Sequence, residues 1–578
     1  MLNPMKRNRV AWASWACLFA GATLWQGCAG SDAASGARGG VSNNGFVSGT
    51  GGASASGDAF GGTMGGPTVA PKEMEDTSTL QLAAPQAGDH YVYALDPDNH
   101  SVVLIDAVRQ AVKSISTGRL PAVVRTLKGS DDAIVLNAGT DDASIIRPAA
   151  DGSDVEVQSV PVVQGANEVA VAPDGRRAVA YYSIALAQGS SGELGELQGV
   201  SVLFLDESPA RSVSVSVGFR PRSVTFSKDG SRGYVITQEG ISVLDFAKIK
   251  KGEVGIATEV SFGKDAQTPD DVSVTSDGRF ALGHDANALV IRLVDLESGD
   301  TQALDIATLL PNPDANLVDA DAGVDDAGVL WPRVISDLDL AADGSFALIV
   351  LREDHFVLRV DLPTGFADPN SIRTWSIPDA FVGQSTLLPA GDIALLYSTA
   401  VAEEQIVILP LEGDDEPKYV DVRKTVRAIG VSDDGQTAVI LHGRTELSPT
   451  EPGISDDERL DRESAYTLLR PQTGYALIRT TPVDPGAFVI VPDGSYLMLT
   501  LRDDSQVIRE VHRIDLFSFQ NMPVIPLRHP PLSIGVVAKI ERAFVHQEYT
   551  GGSMTFIAWK TGELHTFSGY ELNNDIRN

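Results

Sequence analysis

From about residue 78 onward, the chain carries short runs in which apolar and polar residues alternate, separated by tight turns. Runs such as EVAVA, SVTFS, DVSVT, DLDLA, AIGVS and FVIV each precede an Asp-Gly pair, and a second apolar run follows it. Alternation with a period of two predicts a strand with one buried face. Asp-Gly is favoured in tight primed hairpin turns because glycine tolerates positive φ. Each unit is therefore predicted to start with strand, turn and strand, at the glycines Gly175, Gly230, Gly278, Gly344, Gly435 and Gly494.

Each unit continues with two further strands. The third strand often ends in an apolar residue followed by aspartate, at Asp106, Asp206, Asp245, Asp295, Asp361 and Asp515. An aspartate there can accept hydrogen bonds from backbone N–H groups of the next turn, which explains its recurrence without any catalytic role. A fourth, exposed run such as RSVSVSVG or TQALDI follows.

Weaker turns at Gly88, Gly129, Gly391 and Glu541 extend the series to ten units, spaced by about 50 residues. Four-stranded repeats of this length are typical of a β-propeller. The sequence predicts an all-β propeller of eight to ten four-stranded blades, in one ring or in two smaller rings. The first and last units are the weakest, and they are candidates for sharing strands to close a ring.

The units resemble the YVTN-type and WD40-like (PD40) propeller repeats of bacterial exported proteins. The resemblance rests on VAPDGRRAVA, VTSDGRFALG and VPDGSYLML, and it extends over about residues 80–575. The chain differs from eukaryotic WD40 repeats because neither Trp-Asp nor Gly-His recurs. The resemblance implies the fold and does not identify a ligand.

The first residues predict export. Three basic residues precede an apolar run of fifteen residues, Val10–Leu24, which is short for a bilayer-spanning helix and suits a secretory signal. Gly27 followed by Cys28 resembles the lipobox of bacterial lipoproteins, in which the chain is cleaved before a cysteine that carries diacylglycerol. Trp25 stands where that family usually has leucine, and a plain secretory signal is the alternative. The resemblance predicts a signal peptide at 1–27 and a lipid on Cys28, on the bacterial cell envelope and most naturally the outer membrane.

Residues 28–77 are predicted to form a disordered tether after the lipidated cysteine. Thirteen of the 39 residues from 29 to 67 are glycine, and half of the other 26 are serine or alanine. Such a segment cannot bury enough apolar surface to offset its chain entropy. The propeller domain then occupies 78–578.

Charge and candidate chemistry narrow the function further. Asp and Glu number 77 against 45 Lys and Arg, a net charge of −32, so nucleic acid is excluded as a partner. Nine histidines are spread over different positions of the repeat, which argues against a shared catalytic or metal cluster. Asp319, Asp321 and Asp325 resemble a calcium loop, but Leu330 stands where an EF-hand closes with an acid. These three are weak candidates for calcium; otherwise no cofactor is predicted.

Three segments exceed what the repeat requires: 183–199, 305–332 and 443–464. Their positions in a four-stranded blade put all three on one side of the ring, and their net charges are −2, −6 and −4. Tolerated loop growth explains them equally well, and long surface loops contribute little to the core. The favoured function is a lipid-anchored, non-catalytic scaffold for an envelope protein or glycan, with a partner that is basic or bridged by divalent cations. The alternative is an exported propeller enzyme of lactonase-like or quinoprotein-like type.

Overall fold

The computed structural model describes residues 85–149, 152–187, 194–250, 253–263, 268–285, 288–310, 334–445, 447–549 and 551–570. These residues form ten predominantly antiparallel sheets, each built around four strands that follow one another along the chain. The protein is therefore an all-β propeller of ten blades, at the upper end of the predicted range.

The blades are numbered 1 to 10 in chain order. Blades 1 to 5 contain the strands Gln86–Ala87, Tyr91–Asp96, Ser101–Asp106 and Ala111–Ser116; Pro121–Thr126, Ala133–Asn137, Asp142–Pro148 and Val155–Pro161; Glu168–Val171, Arg177–Tyr181, Gly199–Phe204 and Arg211–Ser216; Ser223–Phe226, Arg232–Thr237, Gly240–Asp245 and Thr258–Val260; Asp271–Val274, Phe280–His284, Val290–Asp295 and Thr301–Asp305. A short strand from blade 4, Gly255–Ile256, pairs in parallel with the outer strand of blade 3.

Blades 6 to 10 repeat the same order. Their strands are Asp337–Leu340, Phe346–Leu351, Phe356–Asp361 and Arg373–Ser376; Gln384–Leu387, Ile393–Tyr397, Gln405–Pro410 and Lys418–Asp421; Val426–Val431, Ala438–His442, Ser464–Arg470 and Tyr475–Thr481; Pro485–Ile490, Tyr496–Asp503, Ile508–Asp515, Gln520–Asn521 and Ile525–Pro526; Pro531–Val537, Arg542–Gln547, Ser553–Ala558 and Leu564–Ser568. The α-helices of the described residues are α1 (Ile184–Ala187), α2 (Thr364–Ala367) and α3 (Asp456–Arg462), and the 3-10 turns are Ile306–Leu309, Pro369–Ser371 and Ala538–Ile540.

The hydrophobic core lies between the blades. Ten clusters of buried apolar side chains are present among the described residues, and each joins two neighbouring blades. One of them joins blade 10 to blade 1. Because every blade packs on two neighbours, the ten blades form one closed ring, and the alternative of two smaller rings does not hold.

The ring closes without an exchange of strands. In the described residues, the strands of blades 1 and 10 all come from consecutive chain, so the expectation that these blades share strands is wrong. Closure depends on side chains instead: Phe544 and Ile105 belong to one buried apolar cluster, and Lys539 forms an ion pair with Asp89 at 2.8 Å. Each terminal blade already has four strands, so neither needs to borrow one.

The turns between first and second strands differ in type from the prediction. In blade 5, the N–H of Gly278 donates to the carbonyl of Thr275 at 2.7 Å, with φ +70° at the glycine. Asp277 is not among the described non-glycine residues with positive φ, whereas a primed type I′ turn would need a positive φ at both central residues. The turn is therefore a type I turn that begins at Thr275, and its fourth residue, Gly278, is left-handed. The predicted positive φ is confirmed, and it recurs at Gly129, Gly175, Gly230, Gly344, Gly391, Gly435, Gly494 and, in blade 10, Glu541.

Four of the six predicted aspartates, Asp106, Asp245, Asp295 and Asp515, accept hydrogen bonds from N–H groups of the following turn. The other two pair with arginines, Asp206 with Arg177 and Asp361 with Arg359, and Asp206 lies two residues beyond the end of its strand. Asp106 Oδ1 accepts hydrogen bonds from the N–H groups of Val108 and Arg109 at 2.8 and 2.7 Å. Asp295 and Asp515 bind their turns in the same way. These residues are structural.

A second recurring contact, which the sequence analysis missed, links neighbouring blades. An arginine of one blade donates to the carbonyl of the residue that directly follows the third strand of the next blade. Four of the six donors lie on third strands; Arg373 lies on the fourth strand of blade 6, and Arg542 lies on the second strand of blade 10. The pairs are Arg147 with Leu205, Arg359 and Arg373 with Leu411, Arg470 with Leu516, Arg513 with Trp559, and Arg542 with Ala107.

Candidate functional site: the loop face

The strand order places all three long insertions on one side of the ring. In each blade, the connection between second and third strands emerges on the same side as the connection to the next blade. We call this side the loop face and the opposite side the turn face. Segments 183–199 and 443–464 join second to third strands in blades 3 and 8, and 305–332 joins blade 5 to blade 6. Residues 188–193, 311–333 and 446 of these segments lie outside the described residues.

The insertion 443–464 is built around helix α3. Ser455 caps the helix, because its hydroxyl accepts from the N–H of Glu458 at 3.1 Å and its own N–H donates to the Glu458 carboxylate at 2.9 Å. This reciprocal arrangement is a capping box. Ion pairs from Arg423 to Asp457 and from Arg462 to Glu451, at 2.9 and 2.6 Å, tie the insertion to the ring and to itself.

Lys424 fixes this insertion through hydrogen bonds to the C-terminal end of helix α3. Its side chain is 1% exposed, and its ammonium donates to the carbonyls of Leu460 and Asp461 at 2.7 and 3.0 Å. A cation at the C-terminal end of a helix is favoured by the helix dipole. Burial lowers the pKa of Lys424 below its ordinary value, and neighbouring carboxylates, Asp461 foremost, oppose that shift. This insertion therefore differs from the expected dispensable loop, because removing it would leave a buried ammonium without its carbonyl partners.

Three side chains bridge loops elsewhere on this face. His100 Nδ1 accepts from the N–H of Leu120 at 3.3 Å, and Asp141 Oδ1 accepts from the N–H of Gly165 at 2.8 Å. His355 Nδ1 donates to the carbonyl of Ala380 at 3.1 Å. We call these three the loop-bridging residues. Each joins a loop within a blade to the connection that leads to the next blade.

The loop-bridging residues adopt an unfavourable backbone. Their φ values are 52°, 47° and 51°, and seven of the ten described non-glycine residues with positive φ lie on the loop face. A left-handed conformation costs an L-residue about 1–2 kcal/mol. The turn face mostly places glycine at such positions, which avoids this cost. On the loop face, most of these positions hold residues with side chains instead of glycine. Three of those side chains fix the loops.

The histidines do not converge on one point. His284 and His442 end second strands, His512, His546 and His565 lie on three different strand positions, and His90 is on the turn face. Burial lowers the pKa of His442 to about 4, and its ring is bonded to the Thr425 carbonyl and the Thr467 hydroxyl at 3.1 and 2.7 Å. Burial also lowers the pKa of His284 and of His546 to about 4. These three rings are neutral at neutral pH.

Several predicted site residues lie outside the described residues: Gly27 and Cys28 of the lipid site, and Asp319, Asp321 and Asp325 of the weak calcium candidate. Within the described ranges, no group of three or more His, Cys, Asp or Glu side chains is arranged to hold a metal ion. The same ranges contain no helix long and apolar enough to cross a membrane.

Comparison with known proteins adds little beyond the fold. No protein-family model matches the chain, and no curated protein resembles it in sequence. Solved structures that align with it include a eukaryotic initiation factor, with 11% identity, a TM-score of 0.43, and coverage of 75% of this chain and 98% of that chain. Kuenenia stuttgartiensis hydrazine synthase aligns with 11% identity, a TM-score of 0.30 and coverage of 85% and 97%. The dihydro-heme d1 dehydrogenase NirN aligns with 13% identity, a TM-score of 0.35 and coverage of 65% and 74%.

Sequence reasoning located the loop face and missed what fixes it. Lys424 carries no signal, because a lysine in VRKTVR reads as exposed. The loop-bridging histidines and aspartate are also ordinary loop residues until the neighbouring loop is placed against them. The one available signal was the Ser455…Glu458 capping pattern, which predicts a helix start inside the insertion.

Proposed function

We propose that this protein is a lipid-anchored protein of the bacterial cell envelope, and that its propeller is a non-catalytic scaffold whose loop face binds a protein or a glycan. The anchor is a diacylglycerol on Cys28, after cleavage behind Gly27, and residues 28–77 hold the propeller away from the outer membrane. The resemblance to YVTN-type and PD40 repeats of exported proteins supports this location. The propeller fold suits such a scaffold, because its blades form a rigid base for variable loops.

The observation that carries the binding role is the fixation of the loop face. Helix α3 is held by a buried lysine, and three other connections are held by bridging side chains. Ordering loops at the moment of binding costs free energy, so loops that are already fixed lose less conformational entropy when they bind a partner. A binding surface requires rigid exposed loops. Loop growth that is merely tolerated does not require the loops to be rigid.

The acidic residues of helix α3 indicate the charge that a partner should carry. Asp456 and Asp457 are both 87% exposed, so their carboxylates face solvent while each also pairs with one arginine, Arg459 and Arg423 respectively. A partner with complementary basic groups, or one bridged by divalent cations, would bind there, and added salt would weaken the complex.

The test is neutralisation of these two carboxylates. Asp456→Asn with Asp457→Asn should reduce co-purification of chemically cross-linked envelope partners, and the remaining complex should depend less on salt. The matched control is Asp414→Asn with Asp415→Asn, an identical charge change at exposed residues of the turn face. Loss of partners in the first variant alone supports the proposal, provided that protease cleavage within 443–464 is unchanged, so that loss of the Arg423–Asp457 ion pair is not the cause. Equal loss in both variants, or no loss in either, contradicts binding through the loop face.

The anchor is tested separately. Mass analysis of the mature protein should show an acylated Cys28 and none of residues 1–27, and Cys28→Ser should leave the precursor uncleaved or release it from the membrane. An unmodified N-terminus beyond residue 28 would contradict lipidation. Limited proteolysis should also cut within residues 29–76 and leave a resistant core that begins near residue 78.

A further inference from the structure

The connection between the third and fourth strands of blade 4 is longer than the repeat requires. It has twelve residues, 246–257, whereas the same connection has four residues in blades 1, 8 and 9. Its last part forms the short strand Gly255–Ile256, which pairs in parallel with the outer strand of blade 3. The connection therefore runs along the outer rim of the ring, where blades 3 and 4 meet.

Buried contacts fix this connection at both ends. Phe246 and Ile249 belong to the apolar cluster between blades 3 and 4, and Ala257 packs against the same cluster. A Cβ added to Gly255 would lie 2.9 Å from Cγ2 of Val215 in blade 3. The strand approaches blade 3 this closely because residue 255 is a glycine. The connection is therefore held against the ring along its length.

The side chains that point away from the ring at this connection are apolar. Gly255 is the strand partner of Val215, which is buried, whereas Ile256 is the partner of Ser216, which is exposed. Because successive strand residues point to opposite faces, Ile256 lies on the solvent side of the sheet, and so does Val254 on the other flank of the glycine. Their exposed fractions are 86% and 72%.

Two exposed lysines lie in the same connection. Lys248 has a side chain that is 81% exposed and pairs with Asp245 at 2.9 Å. Lys250 is also exposed and, within the described part of the chain, forms no ion pair. Only four residues separate Lys250 from Val254, so their Cα atoms are at most about 14 Å apart. We call Lys248, Lys250, Val254 and Ile256 the rim patch.

The charge of this connection is opposite to that of the protein. Residues 246–257 contain three lysines and one glutamate, a net charge of +2, whereas the whole chain carries −32. A chain this acidic is repelled by anionic surfaces, so contact with such a surface is favoured where the local charge is positive.

We propose that the rim patch rests on an anionic lipid bilayer, with Val254 and Ile256 in the headgroup region and the lysines beside anionic headgroups. Exposed apolar side chains together with lysines are typical of surfaces that bind membranes. Addition of a partner strand is disfavoured, because a strand of two residues offers few backbone groups for pairing. The proposal rests on the envelope location proposed above. It adds an orientation, with the ring standing on its rim and the loop face open to a partner.

The experiment places a fluorescent reporter in the rim patch. Full-length protein with Ile256→Trp is mixed with vesicles of phosphatidylethanolamine and phosphatidylglycerol whose acyl chains are brominated. Bromine quenches tryptophan only at short range, so quenching beyond that of the unsubstituted protein reports contact of residue 256 with lipid. The matched control is Tyr475→Trp, because Tyr475 is 56% exposed on the outer strand of blade 8, across the ring from blade 3.

Quenching should be strong in Ile256→Trp and weak in Tyr475→Trp. It should also weaken in brominated phosphatidylcholine vesicles, which carry no net charge. Equal quenching in the two variants, or none in Ile256→Trp, would overturn the membrane contact at blades 3 and 4. Equal quenching by charged and uncharged vesicles would overturn the role of the lysines.

Charge variants test the lysines directly. In the Ile256→Trp protein, Lys248→Gln and Lys250→Gln should each raise the lipid concentration for half-maximal quenching about fivefold. The control is Lys128→Gln with Lys228→Gln, which makes the same changes at exposed lysines of the turn face. An equal effect in the control, or no effect of the rim substitutions, would refute the assignment. All these side chains are exposed, so their substitution leaves the core intact.

The anchor and the rim patch can fail separately. Repeating the titration in Cys28→Ser protein removes any lipid on residue 28, and the difference between Ile256→Trp and Tyr475→Trp should persist. Quenching retained in a protein that is never acylated would contradict the anchor alone. An acylated protein without quenching at residue 256 would contradict the rim patch alone.

Discussion

Substituting Gly278 tests how tightly the turns are built into the ring. This glycine has φ +70° and is buried, and a Cβ added to it would lie 2.0 Å from the hydroxyl oxygen of Tyr234 in blade 4. That hydroxyl donates to the Gly278 carbonyl at 2.8 Å, and Tyr234 is fully buried. Gly278→Ala therefore strains the backbone and displaces a buried hydrogen-bonded tyrosine.

The structure offers a control for the backbone effect alone. Gly299 has φ +78°, and a Cβ added there would meet nothing within 4 Å. Gly299→Ala should therefore cost only the left-handed conformation, about 1–2 kcal/mol. Gly278→Ala should cost this amount plus about 1–3 kcal/mol for the disturbed buried hydrogen bond, or about 2–5 kcal/mol in all.

The assay is equilibrium unfolding in urea, monitored by tryptophan fluorescence. If the dependence of the unfolding free energy on urea concentration has the same slope in all variants, a shift in the midpoint reports a change in stability. A third variant, Tyr234→Phe, removes the hydroxyl that the new Cβ would meet. In the double variant with Gly278→Ala, the cost should be smaller than the sum of the single costs by about 1 kcal/mol or more, because the two residues are in contact.

Three results would refute this reasoning. Equal costs for Gly278→Ala and Gly299→Ala would show that Tyr234 does not restrict the turn. Strict additivity in the double variant would show that the two residues do not interact. A cost near zero at both glycines would mean that the turns do not require a left-handed residue.

Three further outcomes are expected. Lys424→Met should leave the ring folded but speed protease cleavage within 443–464, because the insertion loses the bonds from its ammonium; unchanged cleavage would contradict this. Arg542→Met should lower the free energy of unfolding by about 1–3 kcal/mol through loss of its bond to the Ala107 carbonyl, whereas Arg176→Met should not. Three histidines have folded pKa values below their ordinary 6.5, so the unfolded chain binds more protons and stability should fall from about pH 6.5 to pH 4, by up to about 1.4 kcal/mol per pH unit for each. Urea midpoints that do not change over this range would contradict the assignment for His284, His442 and His546.

The repeating unit can be predicted from local patterns in the chain. Alternation in runs such as SVTFS, the glycine after each turn aspartate, and the aspartate at the end of third strands are all local patterns. The first two were found where expected, and the third was found in four of the six predicted positions. Local patterns are reliable because they reflect backbone conformation and one-sided burial within a few residues. The positions of the three insertions also followed from the order of strands alone.

Tertiary structure decided the number of blades, the closure of the ring and the identity of the sites. The apolar faces of all ten units look alike in sequence, so only packing could show that Phe544 of blade 10 and Ile105 of blade 1 belong to one buried cluster. The arginine bonds between blades and the bonds from buried Lys424 to helix α3 join residues that are far apart in the chain. Such contacts depend on the curvature of the whole ring, which no short pattern records, and they therefore remained invisible until the blades were placed side by side.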